Sequence, residues 1–265
     1  MAVLVLTQAR SSGATTTAVA LARCWPRPVV VVEADPAGGD LAARYGVATS
    51  PGLVDLAATP ESHPAGLRSF IQNLGGVDVV AAPVASEVTR AALEALGPDH
   101  HWARSVDDGT DILVDCGRLP LPPTPVPAVI EAATIAVLLV RPTAPGVVSL
   151  RQRLVSLPEQ IRQRTVVVLV GDRPYPAVEV AAAIGIPVTG VIADDPVAAA
   201  ALGSAEPVRM SRSALFRSAA LVAEALAARC DELPADVTAT AGGRVKRWSA
   251  SPPRARFSFS QNGSA

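Results

Sequence analysis

Seven short runs of apolar, mainly β-branched residues recur along the chain, separated by helix-like or proline- and glycine-rich segments. They are residues 3–6, 29–32, 77–82, 112–114, 135–140, 166–170 and 188–192. Continuous runs of this length are typical of strands that are buried on both faces of a parallel sheet. The pattern therefore predicts an α/β fold with a doubly wound, mostly parallel sheet of about seven strands and helices on both faces.

The segments between these runs complete the predicted organisation. Ala- and Leu-rich stretches with helical spacing are residues 88–96, 147–154, 178–184 and 215–228. Residues 118–127 carry five prolines, which predicts an extended surface loop. From residue 235 the composition changes to Gly, Ser, Arg and Pro. We therefore expect one domain over residues 1–232 and a basic, disordered tail over residues 235–265.

Composition narrows the class of protein. A chain of 265 residues that is 49% hydrophobic can bury a full core as one large domain. Its net charge of -1 gives no global reason to bind nucleic acid or an anionic membrane. No apolar stretch approaches the ~20 residues that span a bilayer, and no signal peptide is evident. We expect a soluble, cytoplasmic protein whose three cysteines, Cys24, Cys116 and Cys230, are reduced and bind no metal.

The first apolar run leads into a turn of small residues and a threonine run that opens a helix. Residues 4–17 read LVLTQARSSGATTT. At such a junction, backbone N–H groups and the helix N-terminus bind phosphate, a lysine reaches the β and γ oxygens, and Ser or Thr holds Mg²⁺. Here Ala14 occupies the lysine position, and the only lysine in the chain is Lys246. The layout predicts a phosphate loop without its catalytic charge.

Acidic residues follow the second and the fourth of the apolar runs. Glu33 and Asp35 come two residues apart after the second run, which predicts side chains on one side of the carboxyl edge, where open α/β sheets bind ligands. There they can orient Mg²⁺ or an attacking water. The alternative is that they cap the next helix and face solvent. Asp115 follows the fourth run in the layout of a Walker B strand, whose carboxylate holds Mg²⁺ through water.

In this order, the motifs resemble the ParA/MinD family of deviant-Walker P-loop ATPases over roughly residues 1–230. The matching positions are Gly13, Thr15, Thr16, residues 33–36, residues 38–41, Asp115 and residues 182–196. The departures are Arg10 and Ser11 at two glycine positions, Ala9 and Ala14 at the two lysines, and Glu33 at the first aspartate. The resemblance implies the P-loop NTPase fold.

The resemblance also implies roles for individual residues. Thr15 would be the Mg²⁺ ligand, Asp35 the water-orienting catalytic acid and Asp115 the metal-site acid. The nucleotide-binding set would be Arg10, Ser11, Ser12, Gly13, Ala14, Thr15, Thr16 and Asp194. Arg10 can supply substitute charge, although a guanidinium is not equivalent to a lysine. One lost transition-state donor costs about 2.7–4 kcal/mol. We therefore expect ATP and Mg²⁺ as cofactors, with weak or absent hydrolysis.

The implied function is the nucleotide-dependent positioning or partition of DNA, a division site, or a secretion or pilus assembly, with a protein partner and a homodimer. The alternative is a nucleotide-independent pseudo-ATPase scaffold for such an assembly. A metabolic P-loop enzyme, such as a dethiobiotin-synthetase-like ligase, fits less well because its chemistry depends on the same lysine.

The tail and the histidines carry weaker signals. The tail holds five basic and three aromatic residues, namely Arg244, Lys246, Arg247, Arg254, Arg256, Trp248, Phe257 and Phe259. Such a segment suits contact with DNA or an anionic membrane, which would place the protein peripherally at the membrane or nucleoid. The alternative is that the tail is only a solubilising extension.

His63, His100 and His101 lack partners at metal-ligand spacing, which favours solvated loops.

Overall fold

One eight-stranded sheet forms the centre of the computed structural model, which describes residues 2–8, 12–59, 66–97, 109–119, 128–203 and 212–233. The strands are β1 (Val3–Gln8), β2 (Val29–Glu33), β3 (Gln72–Leu74), β4 (Val77–Val80), β5 (Asp111–Arg118), β6 (Ile135–Val140), β7 (Thr165–Val170) and β8 (Val188–Ile192). Seven of them coincide with the predicted apolar runs. The α/β prediction is therefore confirmed.

The strand order is β3-β4-β2-β5-β1-β6-β7-β8. Every neighbouring pair is parallel except β3 and β4, which are antiparallel. β1 lies between β5 and β6, and β2 lies on the other side of β5. The carboxyl ends of β1, β2 and β5, which are distant in sequence, therefore meet at one edge of the sheet.

The predicted count of about seven strands was one too low, because β3 carries none of the signals of a buried parallel strand. Its three residues are Gln72, Asn73 and Leu74, and only the last is buried. β3 reaches β4 through a turn at Gly75 and Gly76, whose φ values are 57° and 84°. Positive φ at both positions is what a tight hairpin turn requires, and glycine adopts it without strain.

The helices follow the strands in the expected places. They are α1 (Ala14–Cys24), α2 (Leu41–Tyr45), α3 (Leu53–Ala58), α4 (Ser86–Ala95), α5 (Ala128–Ala132), α6 (Ala144–Ser156), α7 (Glu159–Gln163), α8 (Ala177–Ile184), α9 (Pro196–Gly203) and α10 (Ala214–Glu232), with a 3-10 turn at Gly66–Phe70. Side chains cap the starts of α6 and α10: Thr143 accepts a hydrogen bond from the Gly146 N–H, and Ser213 accepts one from the Phe216 N–H. Such caps satisfy N–H groups that a first helical turn leaves unpaired.

Two apolar clusters sandwich the sheet. Helices α1, α2, α9 and α10 pack on one face, and α3 to α8 pack on the other. The apolar run of β5 over residues 112–114 is buried on both sides: Leu113 enters the first cluster while Ile112 and Val114 enter the second. Both faces of this strand are buried, as the continuous apolar run predicted. The helices on both faces confirm the doubly wound architecture.

The predicted N-terminal boundary of the proline-rich surface loop was wrong. Arg118 is the last residue of β5, and Leu119 is buried with 1% of its surface exposed. Residues 120–127 lie outside the described ranges, as do Ala9, Arg10, Ser11, the three histidines and the predicted tail over residues 235–265. The division into a domain and a tail therefore stays a prediction.

The three cysteines lie within the described ranges. Cys116 and Cys230 are buried, Cys24 is half-buried, and none of the three forms a disulfide. Burial raises the pKa of the Cys116 thiol well above its usual value.

Within the described ranges, no helix has the length and apolar character to cross a bilayer.

Candidate functional site

The predicted loop and two of the predicted acids meet at the carboxyl edge of the sheet. Asp115 on β5 has two Cα partners in the neighbouring strands, Leu6 on β1 and Glu33 on β2. The chain leaves β1 at Gln8 and enters α1 at Ala14. The strand–turn–helix segment therefore stands next to the end of β5, as the phosphate-loop layout predicts.

Helix α1 begins directly after a glycine in the left-handed conformation. Gly13 adopts the left-handed conformation, with φ 79° and ψ 46°, and its carbonyl accepts the Thr17 N–H at 2.9 Å. A Cβ atom on Gly13 would contact nothing within 4 Å in the described residues, so the space beside it is open. The Gln8 side chain accepts a hydrogen bond from the Ser12 N–H and thereby fixes the turn to the end of β1.

The remaining predicted loop residues differ in exposure. Ser12 and Ala14 are buried, with 1% and 2% of their surface exposed, whereas Thr15 and Thr16 are half-buried. The Ala14 side chain belongs to the apolar cluster on the α1 face. Position 14, where the predicted phosphate loop would carry a lysine, thus has only a methyl group, and no cationic group extends from it.

Thr15 and Asp115 are joined directly. The Thr15 hydroxyl donates a hydrogen bond to Asp115 Oδ2 at 2.5 Å, and the Gly117 N–H donates to Asp115 Oδ1 at 3.0 Å. Only 2% of Asp115 is exposed. Burial, aided by the nearby charges of Asp35 and Asp40, raises the pKa of Asp115 from 3.8 to about 6. The two residues that sequence analysis assigned to the metal are therefore in contact across α1 and β5.

Asp35 lies beside the same group. It follows the end of β2, and its Oδ1 accepts the Ala37 N–H at 2.8 Å. Its carboxylate occupies the space next to Gly117, where an added Cβ atom would lie 1.8 Å from Asp35 Oδ2. Gly117 also has a φ of 58°, so both its conformation and its surroundings require glycine. No local sequence pattern predicts this requirement.

Glu33 takes the alternative, structural role rather than sharing the site with Asp35. Its Oε1 accepts the N–H groups of Asp40 and Leu41 at 2.9 and 3.0 Å, and its Oε2 accepts the Ala82 N–H at 2.9 Å. β2 ends at Glu33, so the two-residue period of a strand no longer holds at Asp35. Glu33 caps α2 and ties the β2 loop to the end of β4.

Asp194 lies further from the loop than the other predicted site residues. It follows β8, which is three strands from β1, and strands in a sheet are about 4.8 Å apart. Its carboxylate accepts a hydrogen bond from Arg141 Nη1 at 2.7 Å, and this hydrogen bond lowers the pKa of Asp194. The pairing with Arg141, 53 residues away in sequence, was not predictable from local pattern.

The donor atoms at this edge fit Mg²⁺. The Thr15 hydroxyl and the Asp115 carboxylate are oxygen ligands, which Mg²⁺ prefers, and it usually takes only one or two protein groups with nucleotide phosphates. In the part of the chain that the structure describes, no three His, Cys, Asp or Glu side chains form a complete metal site. Asp40 Oδ1 is buried there and has no described hydrogen-bond partner. The protein groups suit a metal that is shared with a phosphate ligand.

Known proteins were compared with the chain by sequence and by structure. No protein-family model and no curated protein matches the sequence. Solved structures do match the fold. The ParA family ATPase from Chlorobium tepidum is 20% identical, with a TM-score of 0.65 over 85% of this chain and 97% of its own. The septum site-determining protein MinD from Pyrococcus horikoshii, complexed with Mg-ADP, is 18% identical, with a TM-score of 0.62 over 85% and 95%.

A third match extends over more of the chain. The MinC:MinD cell division protein complex from Aquifex aeolicus matches at 15% identity, with a TM-score of 0.61 over 94% of this chain and 99% of that chain. All three proteins are matched over nearly their whole length. At these identities the similarity establishes architecture. This chain has the fold of the ParA and MinD ATPases.

Proposed function

We propose that the protein is a ParA/MinD-like nucleotide switch that binds Mg-ATP, hydrolyses it slowly, and acts with a protein partner in positioning or partition. One observation carries the proposal: Thr15 and Asp115 are hydrogen-bonded at the N-terminus of a helix that follows β1 through a left-handed glycine. Helix N-termini bind anions through free N–H groups, and the paired oxygens suit Mg²⁺.

The described residues after β1, β2 and β5 have the following places in this proposal. The backbone from Gly13 to Thr16 would bind phosphate, and Thr15 with Asp115 would hold Mg²⁺. When bound, Mg²⁺ supplies positive charge that offsets the phosphate oxygens. Asp35 lies against Gly117, two residues beyond Asp115, where it can accept a proton from or orient a water near the terminal phosphate.

The composition of the loop favours slow hydrolysis. Ala9 and Ala14 stand where the related loops carry lysines, and Ala14 is buried. Removing one charge-stabilising donor typically slows a reaction about 10²–10³-fold. Nucleotide binding depends less on these side chains because the helix N-terminus contributes backbone donors.

The second candidate function is a nucleotide-independent scaffold that binds protein partners through the same fold. The observation that favours it is Ala14, which has no cationic group and whose methyl group packs in the apolar cluster. The MinD protein of Aquifex aeolicus forms a complex with MinC, so the fold itself supports protein binding. The two candidates differ in whether the carboxyl edge binds nucleotide.

Titration calorimetry with ATP distinguishes them. We expect the wild-type protein to bind Mg-ATP with a Kd of about 1 mM or tighter, and Thr15→Ala to bind about 10-fold or more weakly, since a charge-assisted contact is lost. Removal of Mg²⁺ with EDTA should abolish binding, because Asp35, Asp40 and Asp115 lie at the same edge and repel phosphate.

Ser156→Ala is the matched control. It removes a hydroxyl at the C-terminus of α6, which lies at the opposite edge of the sheet, and it should bind ATP as the wild type does. A wild-type protein that takes up no Mg-ATP at millimolar concentration contradicts the switch and leaves the scaffold as the better account.

A further inference from the structure

The backbone at Gly117 supports two acids of the candidate site. The Gly117 N–H donates a hydrogen bond to Asp115 Oδ1 at 3.0 Å, and the Gly117 carbonyl accepts one from the buried Thr7 hydroxyl at 3.0 Å. Asp35 packs against the same glycine, since an added Cβ atom there would lie 1.8 Å from Asp35 Oδ2. A displacement of Gly117 would therefore disturb the positions of both carboxylates.

Two residues further along the chain, Leu119 is fixed through both of its backbone polar groups. Its N–H donates a hydrogen bond to the Gln8 carbonyl of β1 at 3.1 Å, and its carbonyl accepts one from Arg153 Nε at 2.7 Å. Only 1% of the surface of Leu119 is exposed. The hydrogen bond from Arg153 therefore offsets the cost of burying this carbonyl away from water.

Arg153 reaches Leu119 from α6, which packs on the face of the sheet opposite α1. Only 6% of Arg153 is exposed, and its Nη1 also donates to the carbonyl and the hydroxyl of Ser149, one turn earlier in the helix. Burying a cation is costly unless its donors are hydrogen-bonded. These contacts join the guanidinium to α6 at one end and to the chain that leaves β5 at the other.

Arg164 is another buried arginine that donates to backbone carbonyls, but at a different edge of the sheet. It is 8% exposed, and its acceptors are the carbonyls of Ala133 and Glu131. These residues precede β6, and Arg164 itself precedes β7, so this contact lies at the amino edge. The two arginines share their chemistry and differ in the segment that they hold.

We propose that Arg153 is a positioning residue for the nucleotide site, because through the Leu119 carbonyl it holds the turn that supports Asp115 and Asp35. The assignment rests on the proposed nucleotide function. Mg²⁺ requires oxygen ligands in a closely defined geometry, so a displaced Asp115 binds the ion and its nucleotide less well. Groups that hold a metal ligand in place commonly change metal affinity about 10- to 100-fold when they are removed.

Two substitutions of Arg153 differ by one donor. The amide nitrogen of glutamine is as many bonds from Cα as Nε of arginine, so Arg153→Gln can still donate to the Leu119 carbonyl. Arg153→Met has similar length and no donor, and apolar replacement of a buried charge is often tolerated by the fold. Arg164→Met is the matched control, since it removes a buried arginine with the same kind of acceptors away from the site.

Amide hydrogen exchange, followed by NMR without metal or nucleotide, measures whether the turn is held. The exchange rates of Gly117 and Leu119 are divided by that of Val31, a buried residue in the middle of β2, because a general loss of stability does not raise this ratio. In Arg153→Met both ratios should rise about 10-fold, as expected for a lost buried hydrogen bond. Arg153→Gln should keep the wild-type ratios, and Arg164→Met should not raise them.

Calorimetric titration with Mg-ATP measures the consequence for the site. Arg153→Met should bind Mg-ATP about 10-fold or more weakly than the wild type. Arg153→Gln and Arg164→Met should stay within about threefold of the wild-type affinity. This combination of exchange ratios and affinities supports the assignment.

The contrary outcomes separate the assignment from the proposed function. Unchanged exchange ratios in Arg153→Met, or wild-type Mg-ATP affinity despite raised ratios, overturn the positioning role and leave the switch proposal standing. If Arg153→Gln behaves as Arg153→Met does, donation at the Nε position is not what holds the turn, and the assignment fails. A wild-type protein that binds no Mg-ATP overturns the switch proposal and, with it, the role of Arg153.

Discussion

At the scale of single residues, Asp115 is a buried acid within the candidate site. Its carboxylate is buried and accepts one hydrogen bond from Thr15 and one from the Gly117 backbone, while two further acids lie nearby. Two hydrogen bonds offset only part of the cost of removing a charge from water. Without a cation, burial therefore raises the pKa of Asp115 to about 6.

This environment predicts a pH-dependent stability. The pKa of Asp115 is raised from 3.8 to about 6, so its contribution is fully present below pH 3.8 and is lost as the pH rises through about 6. Asp115→Asn cannot ionise. Between pH 4.5 and 7.5 its free energy of unfolding should therefore rise relative to that of the wild type by about 2 kcal/mol, since one pKa unit corresponds to about 1.4 kcal/mol.

Urea unfolding of both proteins without metal or nucleotide measures this difference. Asp78→Asn is the control because Asp78 is exposed, and it should show little change relative to the wild type over the same range. If the free energies of unfolding of Asp115→Asn and the wild type differ by the same amount at pH 4.5 and 7.5, then Asp115 is ionised in the folded protein at both pH values, which contradicts the prediction.

At the scale of elements, the loops after β2 and β4 act as one unit. Glu33 accepts backbone N–H groups from Asp40, Leu41 and Ala82, so one carboxylate joins the start of α2 to the end of β4. The Gly39 N–H adds a hydrogen bond to the Pro83 carbonyl at 2.9 Å. This unit holds the segment that carries Asp35.

Glu33→Gln should therefore destabilise the protein. A glutamine has one carbonyl oxygen and an NH₂ group, so at least one of the three N–H groups would face a donor and lose its acceptor. A buried unsatisfied group costs about 1–3 kcal/mol. The free energy of unfolding at neutral pH should fall by that amount, and Glu94→Gln at an exposed position of α4 should have no such effect. Equal stability of the two variants contradicts the role of Glu33.

The sequence pattern predicted the strands that are buried on both faces. It did not predict features that depend on contacts between residues distant in sequence. Seven strands were predictable because two-sided burial demands continuous apolar runs, whereas β3 is short, polar and antiparallel. The roles of Glu33 and Asp35 could not be separated, since the end of β2 between them depends on the fold. Nor did any local signal link Arg118 to Gln8, its neighbour across 110 residues of sequence.

At the scale of the whole molecule, the sheet order explains why distant motifs form one site. β1 lies at the centre with β5 beside it and β2 one strand further, so the loop, Asp115 and Asp35 converge at the carboxyl edge. The same order places Asp194 near the far side of the sheet. The linear order of motifs predicted which strands end in site residues, but only the topology gives the distances among them.

The central claim is that this edge binds ATP and retains it without rapid cleavage. The most direct measurement is to incubate the protein with Mg-ATP, isolate the complex and determine the bound nucleotide by chromatography over time. We expect to recover bound ATP. Its rate of conversion to ADP should be at least about 10²-fold lower than an enzymatic turnover number of about 1 s⁻¹. Recovery of no nucleotide, or of ADP formed at about 1 s⁻¹ or faster, would contradict the account.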